Sequence, residues 1–211
     1  MRLLLARHAQ TAWSREDRFC GRTEVPLSAV GEAQAERLAA RLRDSGAVAL
    51  YTSPAARALA TAAIVGQATG LTPRALPDLR EVDFGRWEGL SRAEVRGRDA
   101  EAYAAWLVDP TRSPPPDGEP VAAACRRVLD AVERLACEHA GSTVVVIGHR
   151  TLNRLLLCAL LGATLSRYRR LDQSEACLNV VDVEQGSAVL RLLNDTSHLV
   201  TLEEGRREGG S

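Results

Sequence analysis

Five side chains in this sequence have the chemistry needed to move a phosphoryl group without a metal ion. They are Arg7, His8, Arg57, Glu81 and His149. A phosphoryl group in transfer spreads negative charge over three oxygens, which positioned arginine and histidine side chains stabilise. A histidine supplies an in-line nucleophile, and a carboxylic acid protonates the leaving oxygen. Taken singly, each residue type has a commoner structural role, so the surrounding elements decide whether the five form a site.

Two of these side chains follow apolar runs that predict buried strands. Leu3 to Ala6 is a continuous apolar run, and it stops just before His8. Thr143 to Ile147 is rich in β-branched residues, predicts the best strand in the chain, and stops just before His149. Ligands of parallel sheets bind beyond the carboxyl ends of the strands, so this pattern is a first indication of a site.

The rest of the chain alternates between helical and strand patterns. Helices are predicted over 29–43, from 53 to about 68, over 91–108 with a break at Gly97, over 121–140 and from 150 through 161. Ser28 and Ser53 are the predicted N-caps, with Pro54 at the first helical position. Strands are predicted at 48–51, within 74–79, at 177–183 and at 188–193, with a proline-rich loop at 110–120.

Apolar strands that alternate with long helices predict an α/β fold. We expect a single-domain three-layer sandwich, with a mostly parallel sheet and helices on both faces. The domain should cover residues 1–202, and the charged, glycine-rich residues 203–211 should form a frayed tail.

Composition narrows the function classes. The 27 basic residues, all arginine, balance 27 acidic ones, so the net charge is zero. The chain therefore has no strong electrostatic field that would favour nucleic acid or an anionic membrane as partner. Five cysteines without a CxxC pair argue against a disulfide framework and a zinc site, and those at 125, 137, 158 and 177 are predicted in the core. No stretch approaches a membrane span, and the N-terminal apolar run is too short for a signal peptide. The expected location is the cytoplasm.

Five sequence motifs carry a resemblance. They are Leu5 to Thr11; Gly21, Pro26 to Ser28, Gly31 and Gln34-Ala35; Thr52 to Pro54, Arg57-Ala58 and Thr61-Ala62; Leu79 to Glu81, Phe84-Gly85 and Trp87 to Gly89; and Val144 to His149. Each motif alone is weak to moderate, but together they follow one order and cover most of the chain. In that order they resemble the histidine phosphatase superfamily, which includes cofactor-dependent phosphoglycerate mutases and acid phosphatases.

The resemblance implies a role for each of the five side chains. His8 is the nucleophile that becomes phosphorylated, and Glu81 is the acid that protonates the leaving group and then activates water. Arg7, Arg57 and His149 form the phosphate pocket. Neighbouring cations disfavour an imidazolium, so His8 should stay neutral and nucleophilic. Its second ring nitrogen should donate to a backbone carbonyl, which fixes the tautomer.

Several positions near these motifs need separate interpretation. The family usually has glycine after the nucleophile, where this chain has Ala9, and we expect the added methyl to be tolerated. The family commonly has an asparagine that contacts phosphate where this chain has Ser14, whose hydroxyl donates a similar bond over a shorter reach. Cys20 and Gly21 fall where the family often contacts substrate. A small buried residue before a turn is an equally good interpretation of Cys20.

Three functions fit this motif set. In a phosphatase, water resolves the phosphohistidine; in a mutase, a bisphosphate cofactor keeps His8 phosphorylated; a non-catalytic domain would only bind phosphorylated ligands. All five groups are present, which argues against the third. The resemblance favours Glu81 over its rival Asp83 as the acid. The interval from Glu81 to His149 is 68 residues. Mutases have a longer interval that covers the site and excludes water, so the shorter one favours a phosphatase.

The sequence therefore predicts a metal-independent phosphomonoesterase with a phosphohistidine at His8, no cofactor, and a small phosphorylated metabolite as its partner. A cofactor-dependent phosphoglycerate mutase is the alternative. The chain is expected to be a monomer or a homodimer, and residues 91–120 are expected to cover the pocket. The substrate is left open among sugar phosphates, phosphoglycerates, α-ribazole phosphate and natural-product intermediates.

Overall fold

Six strands form one sheet in the computed structural model, which describes residues 1–184 and 186–200. They are β1 (Arg2–Arg7), β2 (Ala47–Thr52), β3 (Pro73–Ala75), β4 (Thr143–Gly148), β5 (Leu178–Glu184) and β6 (Ser187–Asp195). Their order across the sheet is β3-β2-β4-β1-β5-β6. The first four run parallel, and β5 and β6 add an antiparallel edge beyond β1. The predicted mostly parallel sheet is confirmed.

Helices cover both faces of this sheet. They are α1 (Ala12–Arg15), α2 (Ala29–Leu42), α3 (Ala56–Thr69), α4 (Arg92–Arg98), α5 (Ala100–Val108), α6 (Val121–Glu138) and α7 (Arg150–Leu160). Successive strand residues point to opposite faces. Leu4 and Val145 pack in one core with α2 and α3, whereas Leu3 and Val144 pack in a second core with α6 and α7. The predicted three-layer sandwich is confirmed.

Helix α3 begins later than predicted. The Ser53 hydroxyl accepts from the Ala55 amide at 3.2 Å, and the Ser53 amide donates to the Ile147 carbonyl at 3.1 Å. Ser53 and Pro54 are therefore part of the loop after β2, and the predicted cap at Ser53 is wrong. Ser28 does cap α2, because its hydroxyl accepts from the Gly31 amide at 3.0 Å.

Two other predicted boundaries also move. The helical segment 91–108 breaks at Asp99 rather than at Gly97, because Asp99 leaves the helical region with φ −142° and ψ 49°. The Asp99 carboxylate accepts from the Trp87 indole at 2.9 Å, which ties this break to the core. The third strand, predicted as a short strand within 74–79, begins one residue earlier, at Pro73, and Pro77 starts a 3-10 helix over Pro77–Leu79.

Cysteines 125, 158 and 177 are buried as predicted, but Cys137 is exposed. The buried face of α6 includes Val128, Ala131, Val132 and Leu135, and Cys137 falls outside that stripe. Within residues 1–184 and 186–200, no helix has the length and apolar character that a membrane crossing requires. The predicted tail at 203–211 lies outside the described residues.

Candidate active site

The two strand-end histidines lie side by side. Strands β1 and β4 are parallel neighbours, with Arg7 paired to Gly148, so His8 and His149 follow at the same sheet edge. The His8 amide continues the ladder by donating to the Gly148 carbonyl at 3.0 Å. The two imidazole rings have centroids 5.2 Å apart and meet edge to face at 63°. The two histidines thus lie together at the carboxyl ends of the parallel strands, where the sequence indicated a site.

The His8 ring is held in one tautomer. Its Nδ1 lies 2.7 Å from the carbonyl oxygen of the next residue, Ala9. A carbonyl only accepts, so Nδ1 carries the hydrogen and Nε2 keeps its lone pair. Burial lowers the pKa of His8 well below its ordinary value, and the positive charges of Arg57 and Arg7 lower it further. The predicted carbonyl contact is confirmed, and the ring is neutral at neutral pH.

Arg57 is held by the loop at residues 20–23. Its Nη2 donates to the carbonyls of Gly21 at 2.9 Å and Cys20 at 3.2 Å, and its Nη1 donates to that of Thr23 at 3.0 Å. The side chain is buried, yet its Nε has no partner within the described residues. An unpaired buried donor is costly, so this nitrogen marks a place where an anion would be stabilised.

Gly21 is required by the packing of the same loop. A Cβ at this position would lie 2.1 Å from the carbonyl oxygen of Val82 and 2.4 Å from a Glu88 carboxylate oxygen. The Glu88 carboxylate binds the loop, accepting from the amides of Gly21 at 2.8 Å and Arg22 at 3.1 Å. Gly21 therefore positions Arg57 through its carbonyl. Glu88 belongs to one of the sequence motifs, but the sequence alone assigned it no role.

Arg7 and His149 add further buried polar groups to this site. The Arg7 guanidinium donates to the Gln173 carbonyl at 2.8 Å and pairs with Glu175 at 3.3 Å, but its Nε is unpartnered within the described part of the chain. Both ring nitrogens of His149 are also buried there without a partner. Burial lowers the pKa of His149 well below its ordinary value, with the charge of Arg57 adding to the effect.

Glu81 lies across the N-terminus of α7, next to the histidines. Its Oε1 accepts from the amides of Val82 and Leu152, each at 2.9 Å, and its Oε2 accepts from the Thr151 amide at 2.9 Å. A carboxylate oxygen has two lone pairs, so Oε2 keeps capacity for one more bond. Glu81 is buried and lines the cavity in front of His8. The rival Asp83 instead accepts from the Gly85 amide and is partly exposed.

Ser14 and Cys20 also line the cavity. The Ser14 hydroxyl closes a capping box at α1, where it donates to the Thr11 carbonyl at 3.0 Å and accepts from the Thr11 amide at 2.9 Å. Its hydrogen is therefore already donated in this structure. Burial raises the pKa of the Cys20 thiol to about 11, so it is protonated at neutral pH. The Cys20 carbonyl, rather than the thiol, contacts Arg57.

The cavity has a volume of about 70 Å³. Arg92 and Trp106 form part of its wall, so two residues of the segment at 91–120 line the pocket that this segment is predicted to cover. Four further arginines line it that the sequence alone did not single out, namely Arg150, Arg154, Arg169 and Arg18. A spacing of four residues on α7, directly after His149, is the signal that could have indicated the first two. Across the described residues, no three His, Cys, Asp or Glu side chains gather in a way that could hold a metal ion.

Comparisons with known proteins show the family to which the chain belongs. The family model of the histidine phosphatase superfamily (branch 1) matches residues 3–196. The bifunctional protein Rv2228c of Mycobacterium tuberculosis is 38% identical over 94% of this chain, but the chain spans only 55% of that relative. Phosphoserine phosphatase 1 of Hydrogenobacter thermophilus is 32% identical, with 94% of both chains covered.

Other relatives are named as a phosphatase or as a phosphoglycerate mutase, the two activities that the sequence analysis considered. The adenosylcobalamin/alpha-ribazole phosphatase of Salmonella typhimurium is 30% identical over 92% of this chain and 96% of its own length. The probable phosphoglycerate mutase GpmB of Yersinia enterocolitica is 31% identical over 94% of this chain and 95% of its own. Among solved structures, Bacillus stearothermophilus YhfR has a TM-score of 0.88 at 30% identity, covering 94% of this chain and 98% of its own. The chain belongs to the histidine phosphatase superfamily, whose members compared here include phosphatases of several small phosphorylated substrates.

Proposed function

We propose that this protein is a phosphomonoesterase that hydrolyses small phosphorylated metabolites through a phosphohistidine at His8. The observation that carries the proposal is the state of the His8 ring. Its Nδ1 is bound to a carbonyl and its pKa is lowered, so Nε2 presents a lone pair at neutral pH. The small cavity supports a small substrate, because sites for drug-sized ligands measure roughly 300–1,000 Å³.

In the first step, Nε2 of His8 attacks the phosphorus and the bond to the leaving oxygen breaks. Protonated Glu81 gives its proton to that oxygen, and the alcohol leaves. The unpaired donors of Arg7, Arg57 and His149 bind the three phosphoryl oxygens as their charge develops. Ser14 is a further candidate contact to these oxygens, provided that its hydroxyl rotates away from Thr11. These donors are fixed before the reaction, so little reorganisation is needed during it.

In the second step, the Glu81 carboxylate takes a proton from water as the water oxygen attacks phosphorus. The bond from phosphorus to Nε2 breaks, inorganic phosphate leaves, and His8 and protonated Glu81 are restored. Oε2 of Glu81 is the oxygen suited to both proton transfers, because it accepts one backbone bond where Oε1 accepts two. The protein ends the cycle in the protonation state in which it began.

Removal of metal ions should leave the activity intact, because arginine guanidinium groups supply the positive charge in this mechanism. Hydrolysis of p-nitrophenyl phosphate is measured after exhaustive dialysis against EDTA. A metal-dependent phosphatase treated in the same way serves as control and should lose its activity. Loss of activity here, with recovery on addition of Mg²⁺ or Zn²⁺, would contradict the metal-free assignment.

A phosphatase should release inorganic phosphate without a bisphosphate cofactor. The test follows 3-phosphoglycerate and p-nitrophenyl phosphate with and without 2,3-bisphosphoglycerate, measuring both phosphate release and formation of 2-phosphoglycerate. We expect phosphate release that does not depend on the bisphosphate. Fast interconversion of the phosphoglycerates that requires the bisphosphate, with negligible phosphate release, would establish the mutase alternative instead.

We also propose that the protein acts in the cytoplasm, as a monomer or a homodimer. All five cysteines have free thiols in the structure, which suits a reducing compartment. Gel filtration with light scattering measures the oligomeric state directly.

A further inference from the structure

Five arginines of the cavity are not used in the proposed phosphoryl transfer. Arg18 and Arg92 have a hydrogen-bonded Nε, and the other three do not in the part of the chain that the structure describes. Arg150 and Arg154 lie on α7, and Arg169 lies on a 3-10 helix over Leu165–Arg170. The Nε of each one is buried and has no hydrogen-bond partner within the described residues. Arginine is abundant in this chain, so a position in the cavity lining does not by itself indicate a binding role. Three buried guanidinium nitrogens without a partner line one cavity, and each carries a free-energy cost that a bound anion would offset.

Arg150 and Arg154 are placed against the local electrostatics. They are four residues apart on α7, so they share one face of the helix, where like charges destabilise it. Arg150 is also the first residue of α7, where the helix dipole disfavours a cation. Arg154 is only 6% exposed, and burial lowers its pKa to about 10, with the charge of Arg150 adding to the effect. Neither arginine is placed where it would best stabilise the fold.

Their own counter-ions are weak. Arg150 pairs with Asp17 at 3.1 Å, and Arg154 pairs with Asp172 at 3.0 Å. The side chains of Asp17 and Asp172 are 52% and 67% exposed, so water screens both charges. Asp17 is shared further with Arg92. An anion inside the cavity could compete with these carboxylates for the arginines.

Arg169 has a fixed orientation. Its guanidinium carbon lies 3.7 Å from the centroid of the Trp106 ring, and its Nη groups donate to the carbonyls of Trp106 at 3.0 Å and Leu107 at 3.2 Å. No carboxylate forms an ion pair with it in the part of the chain that the structure describes. Because its position is fixed before a ligand arrives, little side-chain entropy is lost when an anion binds.

The transferred phosphoryl group already has its own unpaired donors, on Arg7, Arg57 and His149. A second set of such donors belongs to other residues of the same cavity, and the proposed phosphoryl transfer does not use it. Building on the proposed phosphatase function, we propose that Arg150, Arg154 and Arg169 form a second anion subsite. It binds a carboxylate or a second phosphate on the substrate, and the enzyme therefore selects phosphomonoesters of acidic metabolites.

Matched pairs of substrates test this selectivity. 3-Phosphoglycerate and glycerol 3-phosphate differ by a carboxylate in place of a hydroxymethyl group. Fructose 1,6-bisphosphate and fructose 6-phosphate differ by a second phosphate. We expect kcat/KM to be about 10- to 100-fold higher for the acidic member of at least one pair, the range that a hydrogen bond to a charged group gives. The pair that responds identifies the anion, and equal values within both pairs would overturn the proposal.

Two variants and a matched control assign the effect to the arginines. Arg150→Gln and Arg169→Gln should each reduce the acidic-to-neutral ratio of kcat/KM at least tenfold. Arg170→Gln should leave the ratio as in the wild type, because Arg170 is exposed, next in sequence to Arg169 and not part of the cavity. The ratio is internal to each protein, so a loss of folded material does not alter it. An unchanged ratio in both cavity variants would reject the subsite.

A binding experiment separates this proposal from the proposed function. If neither the four esters nor p-nitrophenyl phosphate is hydrolysed, the phosphatase assignment fails. The subsite is then judged by calorimetric titration of the protein with the same four esters. Tighter binding of an acidic member, weakened by Arg150→Gln but not by Arg170→Gln, supports the subsite, and equal dissociation constants within both pairs overturn it.

Discussion

Replacement of His8 by alanine should reduce the hydrolysis of p-nitrophenyl phosphate to near the background rate. The variant loses the atom that attacks phosphorus in the first step, while Arg7, Arg57 and His149 still provide a phosphate pocket. Phosphate should therefore still bind, more weakly than in the wild type. Incubation of the wild type with substrate should also add one phosphoryl group to the peptide that contains His8, a mass change that the variant cannot show.

The control for this prediction is His139→Ala. His139 lies at the C-terminus of α6, where its ring contacts the Tyr51 hydroxyl at 2.9 Å, so it is a histidine outside the cavity. That variant should keep its activity. If His8→Ala retained more than about a tenth of the wild-type rate, the loss would be under about 1.4 kcal/mol of transition-state stabilisation, and covalent catalysis by His8 would be ruled out.

Much of this fold follows from local patterns. The runs before His8 and His149 are apolar without alternation, because β1 and β4 are central strands buried on both faces. Their parallel pairing brings the two histidines together, which made the strand ends predictable as a site. Gly70 ends α3 in the left-handed conformation, with φ +71°, which is the usual role of a glycine after a helix.

The differences from prediction arise where long-range contacts decide local structure. Ser53 and Pro54 have the residue types of a helix start, but the bond from Ser53 to Ile147 of β4 keeps them in the loop. The break at Asp99 depends on the Trp87 indole, twelve residues away in sequence. A local sequence pattern shows the residue types of the two partners, but it does not show that the fold brings them into contact.

The second set of arginines escaped prediction for a similar reason. Arg169 is distant in sequence from Arg150 and Arg154, and an arginine on a helix is ordinarily a solvated surface residue. A buried Nε without a partner among the described residues distinguishes these three side chains, together with Arg7 and Arg57, from the other arginines. The family motifs identified the residues proposed for the chemistry, whereas the residues proposed for substrate selection became visible only in three dimensions.

Replacement of Glu81 by glutamine should reduce hydrolysis of alkyl phosphates far more than the first step with p-nitrophenyl phosphate. Glutamine keeps the size of the side chain but cannot give a proton to the leaving oxygen. An alkoxide is a poor leaving group and needs that proton, whereas p-nitrophenolate leaves without it. General acid–base groups contribute roughly 10²- to 10⁴-fold, so kcat/KM for glycerol 3-phosphate should fall within that range.

The second step gives this variant a further signature. Glutamine also cannot take a proton from water, so the phosphohistidine should form quickly from p-nitrophenyl phosphate and then persist. Rapid mixing should show a burst of p-nitrophenol close to one equivalent of enzyme, followed by slow turnover. Asp83→Asn is the matched control, because Asp83 is the neighbouring carboxylate and accepts from the Gly85 amide instead of lining the cavity. Equal losses for both substrates without a burst, or a larger loss in Asp83→Asn, would show that Glu81 is not the acid, because proton transfer by Glu81 is what makes the two substrates differ.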